Sequence, residues 1–278
     1  MSSIGEIRKF SRVEVEGLLK TTTTEVIGSG GQAACRRYRG KDIDWVTKQY
    51  RPELGEQGML QEARTLKRLE GIDGVQQLVG VCHAAKTLVI RYAGIELRSF
   101  MIRDRENITT KFRLKVTQQL AGIVERVSAK GIHHNDIKGS NVCFRITSKG
   151  LVTTLIDFGS ATTTSPEYHG SSYASERRIF DWIAPEVLDG KPSSPESDVY
   201  SLGILLRGLY TYEEFRALPL LKEWVREATR TDPLARPSIT DLLQALPSSW
   251  PQHSEERRAE KRKRFEEDDQ HHYPPPKK

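Results

Sequence analysis

The sequence predicts an α+β fold in two lobes, with a small β-rich lobe first and a larger, mainly helical lobe after it. Between residues 25 and 92, short strand-like stretches are separated by turn residues, and one helical pattern interrupts them. After Gly94, apolar residues recur at helical spacing over much longer stretches. We expect the functional site in the cleft between the two lobes.

Length and composition are compatible with this fold. The chain has 278 residues, of which 37% are hydrophobic and 29% charged, so it can build a sizeable core. These fractions exclude a fibrous chain and a wholly disordered one.

The β-rich lobe is predicted to contain five strands and one helix. We expect the strands at residues 25–29, 33–39, 43–49, 78–83 and 86–92. The helix lies between the third and fourth strands, where apolar residues follow an i, i+3 spacing at Leu60, Ala63, Leu66 and Leu69. In the second lobe we expect helices at residues 111–130, 197–210, 218–228 and 239–246.

These elements divide the chain into four parts. We expect an N-terminal extension over residues 1–22 with one short helix, a first lobe over 23–93, a second lobe over 94–248 and a charged tail over 249–278. The tail is nearly all polar and cannot bury much apolar surface, so it is predicted to be disordered or partly helical.

The tail contains one basic cluster, formed by Lys261, Arg262, Lys263 and Arg264. The cluster resembles a nuclear-localisation signal, which would bind a nuclear import receptor. A solvated helix with Glu and Arg at i, i+4 spacing explains the same residues equally well.

Charge and apolar runs limit the classes of partner. Lys and Arg exceed Asp and Glu by 43 to 37, and this excess is spread along the chain, so it gives little indication of a nucleic-acid partner. Apolar runs such as residues 78–82 are far shorter than the ~20 residues that span a bilayer, so no membrane partner is expected. The N-terminus lacks the apolar region of a secretory signal, and the three cysteines lack metal-site spacing. These features indicate an intracellular protein, nuclear or cytoplasmic.

A glycine-rich stretch, Ile27-Gly28-Ser29-Gly30-Gly31, joins the first two predicted strands. Glycine allows a backbone to approach phosphates closely and to cover them with N–H groups. An ordinary hairpin turn explains the same glycines. Because a strand and not a helix follows them, a dinucleotide-binding fold is disfavoured.

Lys48 lies in the third predicted strand among apolar neighbours. A lysine on the inward face of a strand needs an anion, and Glu62 on the following helix could supply it. The alternative is that both residues are simply exposed at the surface, which is the common situation for either residue type.

The stretch of residues 131–144 carries the strongest signal. Asp136, Lys138 and Asn141 lie at fixed spacing between apolar residues. Asp157, sixteen residues after Asn141, comes at the end of an apolar strand. Asn141 and Asp157 offer hard oxygen ligands suited to Mg²⁺ bound together with substrate phosphates. Asp136 would then be free to accept the proton of a hydroxyl nucleophile.

Taken together, these motifs resemble a eukaryotic-type protein kinase catalytic domain, over residues 23–246. The matching elements occur in order along the chain: Gly28, Lys48, Glu62, His134-Asn135-Asp136, Asn141, Asp157-Phe158-Gly159 and Ala184-Pro185-Glu186. The resemblance implies the two-lobed kinase-like fold, and ATP and Mg²⁺ as the cofactors.

The resemblance also implies a role for each charged position. Lys48 would contact the α and β phosphates and Glu62 would hold Lys48. Asp136 would be the catalytic base and Lys138 would neutralise charge on the transferred phosphoryl group, while magnesium would be bound by Asn141 and Asp157. The position of Lys138 is similar to that in serine/threonine kinases, so protein substrates with serine or threonine acceptors are expected.

The nucleotide pocket is implied in the same way. Ile90 would be the gatekeeper, and Arg91 to Ala93 the hinge whose backbone meets adenine. The residues expected to contact the nucleotide are Ile27, Gly28, Gly30, Cys35, Val46, Lys48, Glu62, Ile90, Tyr92, Ala93 and Cys143.

Three further features of the family have counterparts in this chain. His134, Phe158 and Leu66 would stack as a hydrophobic spine. Asp198 is similar to the buried aspartate of a long helix in the second lobe. Glu186 would pair with Arg236.

Some positions depart from the family pattern. Ala33 replaces the usual third glycine, and Cys35 replaces a valine that packs on adenine. Asn135 replaces an arginine that usually pairs with a phosphorylated activation segment, so regulation of that kind is disfavoured. Ile179 replaces a threonine that usually bonds to the catalytic base, so substrate docking there is expected to be unusual.

These departures leave two alternatives open. One is a pseudokinase that acts as a nucleotide-binding or scaffolding module on the same fold. The other is a small-molecule kinase of related fold, against which the Glu186, Asp198 and Arg236 set argues. Cys35 and Cys143 would be either modifiable thiols or small packing residues.

Overall fold

The computed structural model describes residues 6–20, 24–29, 33–40, 44–51, 55–104, 108–163 and 179–247. Three parts of the chain that bear on the predictions lie outside the described residues. They are Gly30, residues 164–178 of the activation segment that joins Asp157-Phe158-Gly159 to Ala184-Pro185-Glu186, and the tail with its Lys261 to Arg264 cluster. The import-receptor hypothesis for that cluster therefore stays a prediction from the sequence.

The first lobe is built on a five-stranded antiparallel sheet. Its strands are β1 Thr24–Ser29, β2 Ala33–Tyr38, β3 Trp45–Tyr50, β4 Leu78–Cys82 and β5 Thr87–Arg91, in the spatial order β1-β2-β3-β5-β4. All five lie within two residues of the predicted bounds. Strand β5 is buried along nearly its whole length, as expected of a central strand packed on both faces.

Helix α2, Gly55–Arg68, packs on this sheet. Of the predicted apolar stripe, Ala63 and Leu66 are buried within the helix, Leu69 is buried directly after it, and Leu60 is only half-buried. Met59 extends the buried face by one turn towards the N-terminus. The helix thereby turns Glu62, one residue before Ala63, into the lobe and not towards solvent.

The N-terminal extension is part of the first lobe's packing. Helix α1 spans Arg12–Lys20, and residues before it run beside β4, where Phe10 donates its N–H to Val81 over 2.7 Å. Phe10 and Val15 are buried against Cys82 and Val89. The packed lobe thus begins ahead of residue 23, where sequence patterns alone place its start. Ile7, Phe10 and Val15 pack against core residues, but they are too few to form a recognisable pattern in the sequence.

The second lobe is mainly helical, as predicted. The described helices are α3 Leu97–Arg103, α4 Thr110–Ser128, α5 Pro185–Leu188, α6 Pro195–Leu209, α7 Tyr212–Ala217, α8 Pro219–Ala228 and α9 Ile239–Ala245. Thr109 caps α4 and a Ser194–Ser197 capping box starts α6. None of the helices within the described ranges is both long and apolar enough to cross a membrane.

Short strands in the second lobe place the loops that face the cleft. Strands β6 Ile95–Glu96, β8 Val142–Thr147 and β9 Gly150–Leu155 form one sheet, and β7 Ile132–His133 pairs with β10 Thr162–Thr163. Strands β6, β7 and β10 have two residues each and are too short to be predicted from alternation. They bring the loop after β7 beside the loop after β9, so that Asp136 and Asp157 line one cleft. The predicted α+β two-lobed fold is confirmed.

Candidate active site

Lys48 bridges the two lobes. It is 5% exposed, and its Nζ lies 2.7 Å from Glu62 Oε2 and 2.7 Å from Asp157 Oδ1. Burial alone would lower the pKa of Lys48, but the two carboxylates outweigh it and hold the pKa well above its ordinary value. The ammonium therefore stays charged, and burial excludes the surface alternative for both Lys48 and Glu62.

Glu62 has a second partner that sequence reasoning missed. The hydroxyl of Tyr50, at the end of β3, donates to the same Oε2 that accepts from Lys48. Burial raises the pKa of Tyr50, and the Glu62 charge adds to this, so the phenol remains a donor. The only signal in the sequence was a tyrosine two residues after the lysine, on the same face of the strand.

The loop after β7 is fixed by Asp198, near the start of α6. Its two carboxylate oxygens accept the backbone N–H groups of His134, over 2.7 Å, and Asn135, over 2.9 Å. Asn135 takes the left-handed conformation with φ 63°, which asparagine adopts more readily than most residues. This turn directs Asp136 towards the cleft.

Asp136 is the centre of a dense set of donors. Its Oδ2 accepts from Asn141 Nδ2 over 2.7 Å and lies 2.9 Å from Lys138 Nζ. Its Oδ1 accepts from the indole N–H of Trp182 over 2.7 Å. The structure thus brings together the three loop residues that the sequence singled out and adds Trp182, which the sequence analysis did not select.

Asp157 lies opposite, two residues after the end of β9. It adopts φ 64° and ψ 74°, and its N–H donates to Gln76 over 3.2 Å, so the first lobe fixes its backbone. Burial alone would raise the pKa of Asp157, but Lys48 outweighs it and the pKa is lowered. The backbone N–H of Ile156 donates to Asn141, which fixes Asp157 relative to that residue.

The expected hydrophobic spine is assembled across the lobes. The rings of His134 and Phe158 meet edge to face at 4.6 Å, and Phe158 is fully buried. Leu66 of α2 belongs to the same core, and α2 packs on the turn that contains Phe158.

The donor set fits a magnesium ion that substrate phosphates also bind. No group of three or more His, Cys, Asp or Glu side chains able to hold a metal occurs in the part of the chain that the structure describes. Asn141 uses its amide nitrogen for Asp136, so its carbonyl oxygen is the atom it would offer, and the Asp157 side chain is 40% exposed to the cleft. Two hard oxygen ligands with phosphates completing the shell are typical of Mg²⁺.

The described residues that were expected to contact the nucleotide are distributed over β1, β2, β3, α2, β5 with the two residues after it, and β8. Cys35 pairs in register with Lys48, and Val46 with Ile90, so these four positions line one region of the sheet. The other expected contact residues differ in their exposure. Ile27 and Gly28 are exposed on β1, Tyr92 and Ala93 are half-buried after β5, and Cys143 is buried on β8.

The two cysteines of this pocket behave as packing residues. Burial raises the pKa of Cys35 to about 11 and that of Cys143 to about 12. Little reactive thiolate forms near neutral pH, which favours the packing alternative over the modification alternative.

Asn135 bonds to the start of the activation segment. Its amide donates to Ser160 O over 3.1 Å and to Thr162 Oγ1 over 2.9 Å, and Thr162 lies 2.7 Å from the Ser193 hydroxyl. A neutral network therefore occupies the place where an arginine would meet a phosphate.

Glu186 and Arg236 form the expected buried pair. Arg236 donates from both terminal nitrogens to the carboxylate, over 2.7 and 2.8 Å, and the Ser197 hydroxyl adds a third bond. Burial alone would raise the pKa of Glu186, but these bonds outweigh it and lower the pKa.

Comparison with known proteins identifies the same architecture. The family model described as protein kinase domain matches residues 21–221. Cyclic GMP-binding protein C of Dictyostelium discoideum is 28% identical over 66% of this chain and 7% of its own length. The tyrosine-protein kinase transforming protein Fps of avian sarcoma virus (strain PRCII) is 29% identical over 73% of this chain and 39% of its own length. The serine/threonine-protein kinase mos of Patiria pectinifera is 28% identical over 45% and 36%. The matches thus span between 7% and 39% of these three relatives.

Proposed function

Because the chain belongs to the protein kinase family, we propose that it transfers the γ-phosphoryl group of ATP, with Mg²⁺, to serine or threonine hydroxyls of protein substrates. The observation that carries this proposal is the position of Lys48, bonded to Glu62 in one lobe and to Asp157 in the other. An active phosphoryl-transfer site needs this lysine–glutamate pair and the cleft aspartate in place together.

The residues of the cleft divide the work of the reaction. Lys48 would bind phosphate oxygens with a charge that Glu62 keeps oriented. Asp136 would accept a hydrogen bond from the acceptor hydroxyl and take its proton as the oxygen–phosphorus bond forms and the bond to the leaving diphosphate breaks. Asn141 and Asp157 would hold magnesium, which when bound neutralises charge on the phosphates.

Serine or threonine specificity rests on Lys138. Its ammonium lies 2.9 Å from the Asp136 carboxylate, beside the position that the acceptor hydroxyl must reach. The resemblance to serine/threonine kinases implies a lysine at this place that neutralises charge on the transferred phosphoryl group. The relatives include kinases of both kinds by name, so the acceptor is the point that the experiment must decide.

The test is transfer of labelled γ-phosphate from Mg-ATP to the chain itself and to casein, followed by identification of the phosphorylated amino acid. Asp136→Asn is the matched control, since asparagine keeps the size and an oxygen for Trp182 but removes the base. We expect label on serine or threonine with the wild type and a loss of at least about 100-fold with the variant.

Other outcomes favour other functions. A folded chain that binds ATP but transfers no label would support the pseudokinase alternative, for which Asn135 and Ile179 are the departures. Label on tyrosine would contradict the role given to Lys138. Transfer to a small alcohol or sugar and not to protein would indicate a small-molecule kinase.

A further inference from the structure

Within the described part of the chain, the neighbours of Asp136 leave one of its hydrogen-bonding positions open. An ionised carboxylate accepts about four hydrogen bonds, two on each oxygen. Among the described residues, Asn141 and Lys138 approach Oδ2, and Trp182 donates to Oδ1. The remaining position is therefore on Oδ1, the oxygen that Trp182 holds.

Trp182 contacts a second functional side chain. The Nζ of Lys138 lies 4.5 Å from the centre of the indole ring, within the range of a cation–π interaction. Phe180 packs edge to face against the same ring at 5.6 Å, with an interplanar angle of 85°. The indole is thus supported on one side and contacts both Asp136 and Lys138.

Ile179 leaves the catalytic base without a hydrogen-bond donor that the family resemblance implies. The family resemblance implies a threonine hydroxyl bonded to the base at this position, but isoleucine has no polar group, and here it is 64% exposed. The indole N–H of Trp182, three residues later, reaches the base in its place.

We propose that Trp182 is a positioning residue for phosphoryl transfer, which orients Asp136 through its N–H and Lys138 through its ring. The proposal rests on the proposed function. Indole nitrogen donates and does not accept, so it fixes Oδ1 without competing for the proton of the acceptor hydroxyl. The acceptor oxygen would bind on the open side of Oδ1, next to Trp182, which makes the ring part of the surface that receives the acceptor residue.

The kinetic test separates the N–H from the ring. Trp182→Phe keeps an aromatic face for Lys138 and removes the donor, and Trp182→Leu removes both. We expect kcat to fall about tenfold in Trp182→Phe, with KM for ATP and the melting temperature close to wild type, because a bond to a charged group is lost far from the nucleotide pocket. In Trp182→Leu, KM for the protein substrate should rise as well. Trp45→Phe, on β3 and away from Asp136, is the control and should keep wild-type kcat.

A kcat for Trp182→Phe within twofold of wild type would overturn the proposal. So would a parallel loss of kcat, ATP affinity and melting temperature, since this would indicate a merely structural residue.

A second measurement needs no turnover. The indole ¹H–¹⁵N signal of Trp182, assigned from its absence in Trp182→Phe, should shift by several tenths of a ppm in Asp136→Ala, while the signal of Trp45 stays in place. An unshifted Trp182 signal would show that the hydrogen bond is absent and overturn the inference. If the wild type transfers no phosphate, the proposed function fails, and the indole signal still decides whether Trp182 holds Asp136.

Discussion

Two charged residues of the cleft, Lys48 and Glu62, are buried, and each is the other's partner of opposite charge. Lys48 and Glu62 are 5% and 0% exposed, and burying an unpaired charge in such surroundings costs a large desolvation free energy. The bonds between them, and from Lys48 to Asp157, offset the loss of hydration. A phosphate that enters the cleft therefore meets an ammonium whose position is already fixed, which reduces the cost of ordering it during the reaction.

Gly94, between the two lobes, is the residue with the clearest steric requirement. It has φ +118°, and a Cβ added to it would overlap the carbonyl group of Phe144. We expect Gly94→Ala to lower the free energy of unfolding by about 3 kcal/mol or more, because backbone strain and a clash with main-chain atoms add together. Urea unfolding followed by circular dichroism would measure the change.

Gly150 provides the matched control for this substitution. Its φ is +106°, but a Cβ added there meets nothing within 4 Å. Gly150→Ala should therefore lose only the strain contribution, about 1–2 kcal/mol. Equal losses in the two variants would contradict the steric account of Gly94.

Secondary-structure elements of the second lobe are joined by the Glu186–Arg236 pair. Glu186 lies in α5, Ser197 in α6, and Arg236 in the segment between α8 and α9, so one carboxylate links three elements. Both members are at most 8% exposed, so removing one of them leaves an uncompensated buried charge.

We expect Glu186→Gln to lower the free energy of unfolding by about 3–5 kcal/mol at neutral pH. The pKa of Glu186 is lowered in the folded state, so its charge stabilises the fold above the ordinary value of 4.5, and this contribution is lost as the pH falls through the lowered pKa. The difference between wild type and variant should thus be constant near pH 7 and decrease below about pH 4.5. Urea titrations at several pH values would measure it.

The exposed Glu213 serves as a control for charge removal in general. Its side chain is 75% exposed, and Glu213→Gln should change stability by less than about 0.5 kcal/mol at every pH. A difference for Glu186→Gln that stays constant down to pH 3 would contradict the assigned cause.

For the whole molecule, the sequence predicted the two lobes, the five strands and the main helices, since their hydrophobic periodicity is long and regular. It also predicted which charged residues converge on the cleft, because their spacing resembles a known family. It could not predict that Tyr50 bonds to Glu62 or that Trp182 bonds to Asp136. In a sequence, an aromatic residue indicates core packing, and no spacing pattern shows which partner its O–H or N–H group will find. Nor could it predict the pairing of residues 8–10 with β4, which depends on the shape of the sheet edge and not on a local pattern.

The two lobes meet through Lys48 and Asp157, so a ligand that binds both should stabilise the whole chain. A ligand at 100 times its Kd adds about 2.7 kcal/mol to the free energy of unfolding, which raises the melting temperature. We expect a non-hydrolysable ATP analogue to raise the melting temperature more with Mg²⁺ than with EDTA.

In Asp157→Asn this magnesium-dependent increment in melting temperature should disappear, because asparagine is a weaker metal ligand. Glu62→Gln also removes a carboxylate partner of Lys48 but no proposed metal ligand, so within that variant the increment should persist. A thermal-shift titration of the three chains would measure it, and an increment in Asp157→Asn equal to that of the wild type would exclude Asp157 as a magnesium ligand.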